Sequence, residues 1–172
     1  MVIDDAEKLN KLSEESKKMN SQADIFDGYF ILGADITMPK DCQFNEVATD
    51  IVANGQNGFV GIFDGQGYQI DGLSIDNGGL FAVMGESAVV KNVSFTNASV
   101  KDSGFISSKG AGLIQNLYID YKEITVTESC NGFVGTFFVN GINGQAIVSN
   151  CVVLTVDASY NSNDKSYKKL FV

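Results

Sequence analysis

Val90-Lys91-Asn92-Val93-Ser94-Phe95 and Ile114-Gln115-Asn116-Leu117-Tyr118-Ile119 are two copies of one pattern. An apolar residue stands two places before an asparagine, and further apolar residues stand one and three places after it. Side chains in a strand alternate between faces, so Val90 and Val93, three positions apart, should point to opposite sides. Both can face inward only if the chain bends between them. Asparagine and glycine are the residues that tolerate the left-handed backbone such a bend needs. The pattern predicts strand, one-residue corner, strand, with both strands aimed at a common core.

The same pattern recurs along the chain. Asp35-Ile36-Thr37-Met38, Gly72-Leu73-Ser74-Ile75 and Asn150-Cys151-Val152-Val153 align with the two asparagine copies, and Ile70 and Val148 supply the apolar residue ahead of the corner. Taking Asp35, Gly72, Asn92, Asn116 and Asn150 as markers, the steps are 37, 20, 24 and 34 residues. A second set of strand starts is Gly58-Phe59-Val60, Gly79-Leu80-Phe81, Gly104-Phe105-Ile106 and Gly132-Phe133-Val134. These glycines precede the next corner by 14, 13, 12 and 18 residues, whereas the leg from corner to glycine varies from 7 to 16. A nearly constant leg beside a variable one is how stacked repeats behave, since insertions collect on one side. The expectation is an all-β solenoid, a short parallel β-helix of about five rungs. Asn92, Asn116 and Asn150 would then stack about 4.8 Å apart as a ladder of side-chain amides. The Asn57-Gly58, Asn131-Gly132 and Asn143-Gly144 pairs are hairpin signals and raise an antiparallel competitor.

Three parts are expected. Residues 1–24 read as an amphipathic capping helix: Asp4 and Glu7 fit a capping box, Ile3 is the preceding apolar residue, and Ala6, Leu9 and Leu12 form one stripe. Asn20-Ser21 is a plausible stop. A single amphipathic helix cannot bury its own stripe, and a stacked sheet has open ends that need cover, so the helix should lie on the first rung. Residues 25–156 hold the repeats. Residues 157–172 read as a loop followed either by a truncated strand of a further rung or by a strap over the last one.

Composition excludes more than it suggests. The 172 residues contain no histidine, which removes Ser–His and Cys–His catalysis and histidine-ligated zinc. All 12 basic residues are lysines, so no guanidinium clamp exists. With 21 acidic residues and a net charge of −9, attraction to nucleic acid or anionic lipid is not expected. No apolar run is long enough for membrane insertion. Eighteen glycines beside one proline suit many short strands joined by bends. Met1-Val2-Ile3-Asp4-Asp5 has no signal-peptide character, so an exported protein would be represented by a mature or excised piece. Cys42, Cys130 and Cys151 form no C-x-x-C pair; they read as buried thiols, with a Cys130–Cys151 bridge as the alternative.

Phe63-Asp64-Gly65-Gln66-Gly67-Tyr68-Gln69-Ile70-Asp71-Gly72-Leu73-Ser74-Ile75, Gly79-Leu80-Phe81 and Phe30-Ile31-Leu32-Gly33-Ala34-Asp35-Ile36-Thr37-Met38 resemble the GLUG-type repeats of bacterial secreted and cell-surface proteins. Such repeats occur beside the catalytic unit of immunoglobulin A proteases and in adhesin-like proteins. The resemblance covers residues 25–156 and implies a right-handed parallel β-helix in a secreted or surface-borne chain. It implies no protease activity here, because a chain without histidine has no H-E-x-x-H motif.

Asp64, Asp71 and Asp76 are the local acidic cluster that a glycan-cleaving enzyme would need, yet they read as solvated turn and face carboxylates. Calcium held by Asp64 or Asp76 lacks the usual loop spacing. Asp64-Gly65-Gln66-Gly67 opens no helix and precedes no lysine, so it is no phosphate cradle. The twelve phenylalanines read as core. Tyr118 and Tyr121 read as outward residues that could stack on a sugar or a protein partner. Thr125-Val126-Thr127 occurs once, without the repetition a flat threonine array requires. No catalytic, cofactor-binding or metal-binding residue is assigned. The expected function is a non-catalytic stalk, spacer or adhesin-like module. Its partners would be a host or cell-surface glycan or protein and the remainder of a larger polypeptide. The long stretch between Asn116 and Asn150 is the place to look for recognition. A carbohydrate-active β-helix enzyme, or its glycan-binding remnant, is the alternative.

Overall fold

The computed structural model describes residues 1–17, 26–40, 42, 44, 47, 58–76, 78–101, 104–126, 146–155 and 158–160. In chain order the elements are β1 (Val2–Ile3), α1 (Ala6–Lys17), β2 (Tyr29–Leu32), β3 (Ile36–Thr37), β4 (Ile62–Asp64), β5 (Gln69–Asp71) and β6 (Ser74–Asp76). They continue with β7 (Phe81–Met84), β8 (Val89–Lys101), β9 (Ser107–Gly110), β10 (Gly112–Val126), β11 (Ala146–Ser149), β12 (Val152–Thr155) and β13 (Ala158–Tyr160). Every strand pair among the described residues is parallel. The fold is a parallel all-β architecture with one helix. Residues beside one hairpin signal obey the same rule, since Phe59 bridges Phe26 and Met84 in parallel. Asn131-Gly132 and Asn143-Gly144 lie outside the described residues.

Register explains the hydrophobic pattern. Phe30, Phe63, Val90, Ile114 and Val148 are successive partners across β2, β4, β8, β10 and β11. Ile36, Ile70, Phe95, Ile119 and Val153 form a second column across β3, β5, β8, β10 and β12. Ile75, Val100 and Ile124 form a third. These columns make one continuous core, joined by Leu9 and Leu12 of α1. Every described phenylalanine is buried. Phe59 stacks on Phe81 with centroids 4.1 Å apart, and Phe105 meets both Phe95 and Tyr121 edge-on at 5.0 and 5.4 Å.

The bends fall where asparagine and glycine were read. Asn92, Asn116 and Asn150 have φ of 55°, 55° and 52°, and Gly72 has 76°. They do not share one column. Asp71 pairs with Thr96 and Ser74 with Ser99, which sets Gly72 beside Asn97 (φ 50°) and away from Asn92. A turn supplies the bend of that row at Asn92, Gln66 within it having φ 54°. Asp35 is not left-handed; its Oδ1 accepts from the Gln69 amide at 2.9 Å. Two corner columns therefore exist. The single marker series conflated them because Phe95-Thr96-Asn97-Ala98-Ser99-Val100 has the same pattern as Val90–Phe95. The glycine series divides as well. Leu80 and Phe81 donate to Phe105 O and Ile106 O, which keeps Gly79 near Gly104, but Gly58 lies against Val83. Gly132 lies outside the described residues.

The N-terminus differs in two details. Helix α1 begins one residue later than a cap at Asp4 requires: Asp5 Oδ1 accepts from the Lys8 amide at 2.7 Å, and Asp4 is ion-paired to Lys8. Ile3 is a strand residue, since Val2 and Ile3 pair with Ile31 and Leu32. Two residues are too short a run for alternation to announce a strand. Asn20-Ser21 lies outside the described residues.

Candidate functional site

The polar feature with the most organised geometry is the first corner column. Asn92 Nδ2 donates to Asp64 Oδ1 at 3.0 Å, Asn116 Nδ2 to Asn92 Oδ1 at 2.8 Å, and Asn150 Nδ2 to Asn116 Oδ1 at 2.7 Å. The sequence separations are 28, 24 and 34 residues, so the chain returns to the same line after detours of unequal length. A left-handed residue turns its side chain along the stacking direction at each bend, and an amide carries both a donor and an acceptor. The expected asparagine ladder is present, and it begins one position earlier, on an aspartate.

Asp64 is not a solvated carboxylate. It is 3% exposed, in β4, directly before the turn. Its Oδ1 also accepts from the Gln66 amide at 3.0 Å, its Oδ2 accepts from Tyr29 Oη at 3.2 Å, and Lys91 Nζ lies 3.3 Å from Oδ2. Burial alone would push this carboxyl up; the donors outweigh it and hold the group below the ordinary carboxylate range. Gly65 permits the arrangement, because a Cβ there would collide with Asn92 O and the Val93 side chain. Sequence reasoning missed Tyr29 and Lys91 as partners. The signal lay in the register, which aligns Asp64 with Ile31 and Lys91.

The other two acidic residues are not assembled with Asp64. Asp71 belongs to the second corner, where its Oδ1 accepts from Thr96 Oγ1 at 2.7 Å and Asn97 Nδ2 at 2.6 Å; both bonds lower its pKa. Asp76 is exposed at the end of β6. Among the described residues no group of three acidic or cysteine side chains is placed to hold a metal ion. Cys42 and Cys151 are free thiols, and Asn10 Nδ2 lies 3.3 Å from Cys42 Sγ. Cys130 lies outside the described residues. So does Thr127, and with it most of the stretch leading to Asn150.

Tyr121 overturns its outward assignment. It is fully buried, edge-on to Phe105, and burial pushes its phenol well above the ordinary value. Alternation counted from Ile119 already puts Tyr121 on the inner side, three places and therefore one face away from Tyr118. Tyr118 remains partly exposed on the outer side.

A second surface emerges from the same register. Tyr29, Ile62, Val89, Leu113 and Ile147 are successive partners across five strands, on the face opposite the core column. The ends of this outward apolar column, Tyr29 and Ile147, are 51% and 63% exposed. An open groove of about 380 Å³ lies elsewhere, beside α1, lined by Ala6, Glu7, Asn10, Lys11, Glu14 and Pro39.

No family model matches the chain, and no solved structure matches it. Halomucin of Haloquadratum walsbyi (strain DSM 16790 / HBSQ001) is 32% identical to it over 92 residues, which cover 49% of this chain. The chain spans about 1% of the length of that protein.

Proposed function

We propose that this chain is a non-catalytic structural or recognition module of a bacterial exported or surface protein, folded as a short right-handed parallel β-helix of GLUG type. The carrying observation is the ladder from Asp64 through Asn92 and Asn116 to Asn150, in which each bend of the chain bonds the one before it. Coils wound in one direction produce such a line, and the three columns of in-register apolar residues along the core support the same winding. The uncharged outward column from Tyr29 to Ile147 supports recognition of a glycan or protein, and the brief match within a far longer protein supports a module of a larger polypeptide.

Asp64 supports the non-catalytic reading. A general acid for glycoside cleavage needs a carboxyl held above its ordinary pKa, whereas the Asp64 carboxyl is held below it by donors that serve the fold. The test is to incubate the purified chain with a panel of neutral and acidic polysaccharides, and to probe a glycan array with it in parallel. Retention without turnover, or neither, is the expected result. Turnover that Asp64→Asn or Asp71→Asn abolishes in a folded variant overturns the reading. A crystal structure with antiparallel neighbouring strands overturns the β-helix.

A further inference from the structure

Among the described residues the sheet runs from β1 at one edge to β11, β12 and β13 at the other. β11, β12 and β13 pair with β10, and among the described residues no strand pairs with their far side. Burial falls off at the same place. Val90 and Ile114 are fully buried, yet Val148, their partner in β11, is only partly covered. Likewise Val93 and Leu117 are 1% and 2% exposed, whereas Cys151, at the same position after the corner, is half-buried. Val148 and Cys151 thus lack the layer that covers their counterparts, while Val153 stays buried at 8% exposed.

The ladder has a direction. Each asparagine donates toward the preceding corner, and the line stops at Asp64, which when ionised accepts only. At the other end Asn150 donates to Asn116, and among the described residues no donor meets its own Oδ1. An occupant that continues the ladder therefore brings an N–H to the corner. Asparagine can do this in the left-handed geometry; an ionised aspartate brings no donor, and glycine bends but has no side chain. The backbone beside Asn150 offers parallel pairing, and open edges take up strands by main-chain hydrogen bonds with alternate side chains giving specificity.

We propose that the outer edge of β11 and β12 is a strand-addition site for a parallel strand–asparagine–strand segment supplied from outside these 172 residues. The segment carries an apolar residue two places before its asparagine and others one and three places after it, covering Val148 and Cys151 and stacking beside Val153. This rests on the stacked-coil reading above.

The test adds a labelled synthetic peptide with the sequence Gly112–Val126 to the full chain at neutral pH, reading binding by fluorescence anisotropy and amide exchange by mass spectrometry. Binding is expected, with slowed exchange over residues 146–155. The same peptide with Asn116→Asp is expected to bind about tenfold more weakly, the worth of one hydrogen bond. Absence of binding by both peptides, equal binding, slowing elsewhere, or binding only after deletion of residues 161–172 overturns the proposal. Exchange over β8 and β10 of the free chain reports the stacked-coil reading separately: protection there with an inert edge fails the site alone, and rapid exchange there fails the fold on which it rests.

Discussion

Asn116 holds both of its neighbours in the ladder, donating from Nδ2 to Asn92 Oδ1 at 2.8 Å and accepting at Oδ1 from Asn150 Nδ2 at 2.7 Å. Three rows separated by 24 and 34 residues of chain are joined through this one exposed side chain, in a left-handed residue with φ of 55°. Backbone conformation and side-chain bonding thus meet in one residue through different atoms, and the two contributions can be separated by mutation.

Asn116→Ala removes both amide bonds and places a Cβ-bearing residue without local hydrogen bonding in the left-handed region. A loss of about 1–3 kcal/mol is expected by denaturant titration. Asn116→Gly loses the bonds but not the conformational ease, and should cost less. Equal costs for the two variants would contradict the strain component.

The corner was legible in the sequence because only a few residue types bend a strand inward at one position, and the ladder followed from stacking them. What was not legible is that a second corner exists, at Gly72 and Asn97. Gly72 and Asn97 satisfy the same local rule as Asn92 and Asn116, so sequence spacing alone merges the two columns; only strand register separates them. The burial of Asp64 was hidden for a related reason. Asp-Gly reads as a surface turn, and the donors that make its burial tolerable, Tyr29 and Lys91, come from other rows. Val2 and Ile3 were hidden by brevity, since two residues carry no period.

Asp64 should impose an acid limit on stability. Its pKa is lowered in the folded protein, so its contribution is full above the unfolded carboxylate value of about 3.9 and is lost as pH falls through the lower folded value. Asp64→Asn keeps an acceptor for Asn92 and Gln66 but cannot titrate. The stability advantage of the native chain over this variant, measured by urea unfolding from pH 7 downward, should shrink below about pH 4. A difference that grows with acidity would contradict the assignment.

Tyr121 and Tyr118 differ by three positions and should differ widely in consequence. Tyr121→Ala empties a fully buried ring site against Phe105 and is expected to cost about 3–5 kcal/mol. Tyr118→Ala, on the partly exposed outer side, should stay within about 1 kcal/mol of the native chain. Thermal unfolding of the two variants side by side checks the inward placement, and similar losses would refute it.

Gly65 and Gly67 flank the same bend but need glycine for different reasons. Gly67 has φ of 87° with no atom near its missing Cβ, so Gly67→Ala should cost only the left-handed penalty, about 1–2 kcal/mol. Gly65 has no left-handed φ, yet a Cβ there would run into the backbone of Asn92 and the Val93 side chain, and backbone cannot step aside as a flexible side chain can. Gly65→Ala must therefore push the β4–β8 row apart just where Asp64 accepts from Asn92, loosening the buried carboxylate along with the packing. It should destabilise the chain more than Gly67→Ala, and it should also weaken the acid dependence that Asp64 confers. Measuring both variants at pH 7 and near pH 3.5 separates the outcomes: a Gly65→Ala protein with native acid sensitivity would show that the row can open there without disturbing the ladder's first bond.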